Sequence, residues 1–381
     1  MKIFTTLSYY KPHISGLTVC VQRLIDGLSK KNFEFTVLTS QHKKELSKSE
    51  TDKKIRIIHS SVLFTLGKVP VMPWYLFQAI REIKNNDLVW INLPQAEGVI
   101  AAVVAKLFGK KVVTTVHCLP LLPGGWQRFL FQKLFDLLNN FVIRLSDGVI
   151  YYTKDYAENT KELLHLLSKS EYIFPPIPSF IFNHLNHPNH FNHSPYVIGF
   201  AGRIAEDKGL EYLLEALSLL KTEEKNVELI IAGNMDAVGE SSYVNKIKKM
   251  INNIKFKVSF TGEMNPESMF EFYRKIDLLV LPSVNRTEAF GMVQAEAMLS
   301  GVQVVASDLP GVRVPIKLTD NGELAAAGNS KALTQAIIKV MENRLSPRSI
   351  SEKAVKVFSP DKTFNDYSNI FHHAANMDIN I

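Results

Sequence analysis

Between Pro282 and Gly301 the sequence sets two glutamates eight positions apart, Glu288 and Glu296, with Phe290-Gly291-Met292-Val293 between them. Leu278-Leu279-Val280-Leu281 before them and Val302-Gln303-Val304-Val305-Ala306 after them are short apolar runs that read as buried strands. The unit is therefore strand, loop, helix, strand. Glu288 falls in the loop at the strand's carboxyl end and Glu296 one to two turns into the helix. In an open α/β sheet that edge is where ligands bind. Two carboxylates there can accept hydrogen bonds from vicinal hydroxyls, on a ribose or a hexose, without changing protonation. The competing reading is two ordinary helix glutamates, one near an N-terminus where the dipole favours anions and one on a solvated face. Against it, Ala295-Glu296-Ala297-Met298 reads as buried, where an unpaired carboxylate is costly.

Cations complement these acids. Phe200-Ala201-Gly202-Arg203 closes a strand and Lys208-Gly209-Leu210 opens the next helix, so Arg203 and Lys208 share a strand-to-helix loop. A helix N-terminus already favours phosphate. A guanidinium and an ammonium five residues apart can bracket a diphosphate, one as a fork and one as a point charge. The first half has a matching element: Gly16, between the first strand and a helix beginning near Leu17, lets the backbone approach an anion closely. Neither loop is a Walker motif or a G-x-G-x-x-G fingerprint, which disfavours a P-loop nucleotidase or a dehydrogenase.

Positioning these residues requires alternating strands and helices. Strands read at Lys2–Leu7, Phe33–Thr39, Ile55–His59, Leu88–Leu93, Lys111–Val116 and Gly148–Thr153, with helices near 17–30, 73–84, 95–108, 126–145 and 154–167. The second half repeats the grammar with strands at Tyr196–Ala201, Val227–Ala232, Val258–Thr261, Leu278–Leu281 and Val302–Ala306. Two doubly wound α/β domains with a cleft between them are expected. The expected boundaries are a first domain over 1–182, a linker over 183–195 and a second domain over 196–363, with the last helix within 364–381. Phe174-Pro175-Pro176-Ile177-Pro178 marks the join. It is followed by Asn183-His184, Asn186-His187, Asn189-His190 and Asn192-His193. Histidines every third residue line one face of a polyproline-type helix. Both metal binding and a low-complexity linker fit that tract, the linker better.

Taken together, Gly202-Arg203…Lys208-Gly209, Glu288-x7-Glu296, the strand ends Ala232-Gly233 and Thr261-Gly262, and His117 after Val112–Val116 resemble the retaining "group 1" glycosyltransferases. That family includes glycogen synthases and bacterial mannosyltransferases. The resemblance spans nearly the whole chain, most strongly 196–311, and implies the GT-B fold of two Rossmann-like domains. It implies a nucleotide-diphosphate sugar as donor, held mainly by the second domain, with Arg203 and Lys208 on the diphosphate and Glu296 on the ribose. It places Glu288 on sugar hydroxyls, and Phe290, Gly291, Met292 and Val293 on sugar and phosphate through their amides. Gly16 would donate its amide to the distal phosphate, and His117 would touch the transferred sugar. It implies retention at the anomeric carbon and a last helix, roughly Phe364–Ala375, crossing back to the first domain. His117 as a core or capping histidine stays open beside this role. The chain departs from the family where Leu17 follows Gly16, where Cys118 replaces a common acid, and where Gly301-Val302-Gln303 replaces a common proline.

Breaking a glycosyl phosphate bond leaves negative charge on the phosphate, which fixed cations stabilise most in the transition state. No Asp-x-Asp occurs in the chain, so no motif calls for a metal, and no cofactor other than the donor is expected. The competing class is a GT-B-like sugar-nucleotide binder without transferase activity, or an epimerase or phosphorylase; no phosphorylase-type cofactor lysine motif is found.

The 381 residues carry 46% hydrophobic and 21% charged side chains, as soluble globular proteins do. Cys20 and Cys118 stand apart with no partner motif, which fits a reducing compartment. The N-terminus turns polar too early for a signal peptide, and the uncharged stretch from Tyr172 to Gly202 is broken by prolines and asparagines. A cytoplasmic location is expected. Residues 1–190 hold 23 lysines and arginines against 14 acids, whereas the remaining 191 hold 21 against 23. A basic first half suits an anionic surface, and no nucleic-acid-binding motif is present. Trp126–Leu145 and Val62–Phe77 mix cations with aromatic and aliphatic side chains. The first reads as a helix packed on the sheet, and both together read as a membrane-surface patch; the two readings hold at once if one face packs inward and the other contacts lipid. The expectation is an enzyme at the cytoplasmic face of the inner membrane, acting on a glycan or glycolipid acceptor in lipopolysaccharide, capsule or glycolipid assembly.

Overall fold

The computed structural model describes residues 1–66, 69–121, 126–161, 163–178, 194–222, 226–234 and 240–376. The Asn-His tract at 183–193 lies outside the described residues. The chain divides into two compact units, Met1–Pro176 with Pro360–Ile381, and Ile177–Ser359.

The first unit begins β1 (Lys2–Thr6), α1 (Gly16–Ser29), β2 (Glu34–Ser40), β3 (Ser49–Asp52), β4 (Ile55–Ser60), β5 (Phe64–Leu66), β6 (Val69–Val71) and α2 (Tyr75–Lys84). It continues β7 (Leu88–Leu93), α3 (Gly98–Leu107), β8 (Lys111–Val116), α4 (Trp126–Leu145), β9 (Gly148–Tyr151), α5 (Lys154–Glu158) and β10 (Ser170–Tyr172). Its main sheet runs β10-β9-β8-β7-β1-β2-β4-β3 and is parallel apart from β3. From β1 the chain moves outward through β2 and β4, then returns to β7 and moves the other way through β8 and β9. The order therefore reverses between β1 and β7. Right-handed crossovers put α1 on one face and α3 and α4 on the other. α3 packs against both α2 and α4.

The second unit holds β11 (Tyr196–Ala201), α6 (Leu210–Thr222), β12 (Val227–Ala232), α7 (Ser241–Asn252), β13 (Lys257–Gly262), α8 (Pro266–Arg274) and β14 (Leu278–Leu281). It continues α9 (Met292–Leu299), β15 (Gln303–Ser307), α10 (Val314–Thr319), β16 (Gly322–Ala325), α11 (Ser330–Glu342) and α12 (Pro347–Val357). The strand order β13-β12-β11-β14-β15-β16 reverses between β11 and β14. Every pair in this sheet is parallel. Such a sheet is covered on both faces, and β14 reads Leu-Leu-Val-Leu with all four residues buried. Phe200, Leu213, Leu217, Leu229, Ile231 and Ile337 belong to one core cluster.

The last helix, α13 (Pro360–Asn376), packs on the first unit. Tyr367 and Phe371 lie with ring centroids 6.0 and 5.6 Å from that of Trp90, and the Tyr367 hydroxyl is 3.3 Å from Thr115 Oγ1. Trp90 in turn packs edge-on to Phe35 at 6.3 Å. Burying rings of this size stabilises by about 2–3 kcal/mol each.

Some elements differ from expectation. The helix expected over 154–167 is α5 followed by a separate 3-10 turn at Leu164–Lys169. Thr153, expected to end a strand, caps α5 by accepting from the Tyr156 amide. α3 starts at Gly98 rather than 95, because Gln95 turns its amide onto the Thr6 carbonyl. β3 carries no apolar pattern: Ser-Glu-Thr-Asp is exposed throughout and is held by antiparallel pairing with β4 alone. The short β16 was equally silent. There, a Cβ on Gly322 would stand 1.8 Å from the Val304 carbonyl oxygen, so only glycine lets that strand approach β15.

Candidate functional site

The carboxyl ends of β11 and β14 are neighbours at the point where the second sheet reverses, the crevice position favoured for ligands in open α/β sheets. Arg203 follows β11, and a 3-10 turn at Glu206–Lys208 leads through Gly209 into α6. Gly209 adopts φ +64, and a Cβ there would come within 2.3 Å of the Pro282 carbonyl oxygen in the loop after β14. The two loops are thus pressed together where only glycine fits. The Val284 amide donates to the Asp207 carbonyl, and Thr287 N donates to Asn285 Oδ1, which shapes the segment before Glu288.

This places Lys208 Nζ 2.5 Å from Glu288 Oε2 and 3.7 Å from Asp207 Oδ2. Arg203 lies 3.6 Å from the other oxygen of Asp207, and its side chain is 40% exposed whereas that of Lys208 is 16% exposed. Burial alone would lower the Lys208 pKa. The carboxylates of Glu288 and Asp207 outweigh it and hold the ammonium above the ordinary lysine value. Lys208 is therefore a locked cation. It has three N–H donors, so it can keep Glu288 and still meet a phosphate oxygen.

The other candidates in this unit lie at strand ends and on α9 and the residues just before it. Gly202 follows β11, and a Cβ on Gly233, just after β12, would stand 1.9 Å from the Gly202 carbonyl oxygen, so the backbones leaving these two strands also touch. Gly262 ends β13 with φ +74. Gly291 caps α9 in the left-handed region and Met292 and Val293 open that helix, presenting amides that lack intrahelical partners. Phe290 is buried against Phe358, and its carbonyl accepts from Gln294 Nε2 at 2.7 Å. Glu296 is 6% exposed and accepts from the Tyr273 hydroxyl at 2.8 Å, which offsets its desolvation. The structure thus brings Arg203, Lys208 and Glu288 together and gives Glu296 a separate partner. Tyr273, on α8, carries no motif in sequence.

In the first unit Gly16 is the first residue of α1, and Ser15 caps the helix by accepting from the Thr18 amide at 3.2 Å. The Gly16 amide is one of the helix's unpaired donors. His117 is 4% exposed, with both ring nitrogens engaged. Nδ1 meets the Tyr152 hydroxyl and Nε2 lies 2.9 Å from Asn92 Oδ1. Asn92 Nδ2 donates to Thr5 Oγ1 at 2.9 Å, so its oxygen faces the ring and His117 carries its proton on Nε2. Burial pushes the imidazole down to about 3, so it is neutral near pH 7. The Tyr152 hydroxyl also lies 3.1 Å from Cys20 Sγ, a thiol that burial pushes up to about 12. The only sequence signal for Asn92 and Tyr152 was strand register: Leu93 pairs with Val116 and Val116 with Tyr151, so the residues beside them meet.

Among the described residues no cluster of three or more His, Cys, Asp and Glu side chains has metal-binding geometry. No helix there is long and apolar enough to cross a membrane.

Two family profiles match the chain: "Glycosyl transferases group 1" over 183–357 and "Glycosyltransferase Family 4" over 14–178. An uncharacterized glycosyltransferase of Methanocaldococcus jannaschii is 25% identical over 377 residues, 94% of this chain and 93% of that protein. The lipopolysaccharide 1,2-N-acetylglucosaminetransferase of Salmonella typhimurium is 37% identical over 119 residues, 30% of this chain and 31% of its own. Among solved structures, sucrose-phosphate synthase of Thermosynechococcus elongatus superposes with a TM-score of 0.77 at 16% identity, covering 98% of both chains. Anabaena HepE in complex with UDP gives 0.73 at 19% identity, covering 98% of this chain and 100% of its own. The architecture is GT-B, and the chain belongs to the group 1 glycosyltransferases. Its relatives include enzymes of glycan biosynthesis.

Proposed function

We propose that the protein transfers a sugar from a nucleoside diphosphate sugar to a hydroxyl of a cell-envelope glycan or glycolipid, with retention at the anomeric carbon. The observation that carries this reading is the Lys208–Glu288 pair, with Arg203 beside it, at the reversal point of the second sheet. As the bond between sugar and phosphate breaks, negative charge collects on the leaving diphosphate. Arg203 and Lys208 are held in place to receive it, so little reorganisation is needed at the moment of reaction. Glu288 accepts from a sugar hydroxyl and Glu296 from the ribose, while the free amides of Gly291, Met292 and Val293 meet sugar and phosphate. In the first unit, Gly16 keeps an amide at the start of α1 that can meet an anion, and His117, neutral and fixed by Tyr152 and Asn92, is not suited to exchange protons. No resident metal or cofactor enters this account. That HepE is solved with UDP-glucose adds support for a nucleotide sugar as donor.

The decisive experiment offers UDP-, GDP- and ADP-sugars to the purified chain and follows nucleotide release, with the product's anomeric configuration read by NMR. A protein that binds nucleotide sugars and never consumes them is a sensor. An inverted product overturns the retaining reading.

The acceptor side of the reading is peripheral attachment to an anionic membrane through the first unit, at the cytoplasmic face. On α2, α3 and α4 the exposed side chains include Phe77 (65%), Leu107 (78%), Phe131 (62%) and Leu137 (61%). Leu76, Ile80, Val103, Leu107 and Phe108 line an apolar groove of about 360 Å³ between α2 and α3. The three helices carry Arg81, Lys84, Lys106, Arg128, Lys133 and Arg144 against Glu82 and Asp136. Apolar insertion with surplus cations suits phospholipid head groups.

A further inference from the structure

Gln294 is the third residue of α9, the position from which a glutamine can reach back to the amide of the capping residue, here Gly291. In that arrangement the side-chain oxygen accepts from the capping amide. The side chain is turned the other way. Gln294 is fully buried, and its Nε2 donates to the Phe290 carbonyl at 2.7 Å and to the Val312 carbonyl at 2.9 Å. Both N–H groups are thereby spent. Oε1 stays buried without a partner, and among the described residues the Gly291 amide donates to no carbonyl. Two groups that could satisfy each other are both left open. Exchanging the oxygen and nitrogen would set Oε1 against two carbonyl oxygens, so these partners fix the orientation of the amide.

This orientation has a directional consequence. The Phe290–Gly291 peptide bond is trans, so its C=O and N–H point in opposite directions. A carbonyl held on the buried Gln294 therefore sends the Gly291 N–H away from that side chain. The backbone has little room for another arrangement. Gly291 adopts φ +76, and a Cβ there would stand 2.8 Å from Gln294 Nε2 and 2.4 Å from Leu281 Cδ2. The second bond reaches the loop after β15, where Val312 is fully buried and Arg313 pairs with Asp308 at 3.3 Å. Gln294 thus pins together the segments that follow two neighbouring strands, β14 and β15. Packing alone does not call for this, since a methionine would fill nearly the same volume.

We propose that Gln294 is a positioning residue of the donor site: it holds the Phe290 carbonyl so that the Gly291 amide stays unbonded and is aimed at the phosphate that bears the sugar. This role rests on the donor reading, and it adds the side chain that presents one of the amides to its anion. As the sugar leaves, the phosphate oxygen gains charge, and a donor already fixed in direction meets it without reorganisation. The unmet Oε1 is the counterpart of that arrangement, because both N–H groups of the side chain are committed to carbonyls.

Calorimetric titration of the full chain tests it, with UDP-, GDP- and ADP-glucose and the matching nucleoside monophosphates as probes. A monophosphate lacks the sugar-bearing phosphate and so reads the rest of the donor site. Gln294→Met, close in volume and without donors, should weaken binding of the preferred diphosphate sugar by about tenfold, as for one lost hydrogen bond to a charged group. Its affinity for the monophosphate should stay that of the wild type. If the methionine variant does not fold, Gln294→Glu serves. A neutral carboxylic acid there keeps one donor for the two carbonyls and should show the same selective loss, only smaller. Equal loss of both probes, or loss of neither, overturns the role. Failure of both variants to fold overturns it too, by assigning the side chain to the scaffold alone. A wild type that binds none of the probes removes the donor reading, whereas wild-type binding without the selective loss removes this inference alone.

Discussion

Lys208 Nζ lies 2.5 Å from Glu288 Oε2 although eighty positions separate them in the chain. The contact exists because β11 and β14 are neighbours and the loops beyond them touch at Gly209 and Pro282. On the proposed reading it ties the cation for the leaving phosphate to the carboxylate for the sugar. Disturbing one disturbs both.

Lys208→Ala removes the better buried cation and leaves Glu288 without its counter-charge. Nucleotide release from the preferred donor should fall about 10²–10³-fold, mostly in kcat, as for loss of one fixed stabilising group. Glu288→Gln should lower kcat as well and return the Lys208 pKa toward the ordinary lysine value, since its main raising partner is gone. Steady-state kinetics of both variants check this, and unchanged turnover would remove the pair from the site.

Gly209→Ala should damage the fold and the site together. The left-handed backbone costs a non-glycine residue about 1–2 kcal/mol. In addition, the new Cβ meets the Pro282 carbonyl at 2.3 Å, so the loops must part. A lower urea midpoint with weakened nucleotide binding is the expected pair of results. A stable variant with full binding would show that the two loops need not touch.

His117 predicts a pH dependence of stability with a definite sign. Its folded pKa is pushed down to about 3 from an ordinary 6.5. On acidification the unfolded chain takes the proton first. The stabilisation is complete above pH 6.5 and is lost as the pH falls from there toward 3, at about 1.4 kcal/mol per unit where only the unfolded state is protonated. Urea melts between pH 7 and 4 should show a shallower decline for His117→Gln. Tyr152→Phe removes the hydroxyl facing Nδ1 and should cost about 1–3 kcal/mol at pH 7.

Membrane attachment is readable by cosedimentation. The chain should pellet with vesicles containing phosphatidylglycerol and stay in solution with phosphatidylcholine alone. Binding should weaken as salt rises, because surface charge is screened. Phe77→Ser together with Leu137→Ser should release most of it, since both side chains are more than half exposed. Indifference to both lipid charge and these substitutions would leave the apolar face to another partner.

Much of the scaffold was legible because strand periodicity is local. β7, β8, β11, β12 and β14 fall where their apolar runs begin and end, and α4 spans Trp126–Leu145 as its pattern indicates. Spacing alone put Glu288 in the loop and Glu296 within α9. β3 and β16 were missed because their pairing depends on a neighbour strand, not on their own residues.

By itself, then, the sequence determined the class of fold, the family and the residue types at the candidate site, since motif and periodicity are properties of short segments. Which partners those residues keep was decided by tertiary structure. Strand order joined Lys208 to Glu288 and α8 brought Tyr273 to Glu296. Parallel register enclosed His117 between Tyr152 and Asn92. Gln95 reaches the Thr6 carbonyl only because β1 and β7 lie side by side. Burial and hydrogen bonding are relations between distant segments, and no local pattern encodes them.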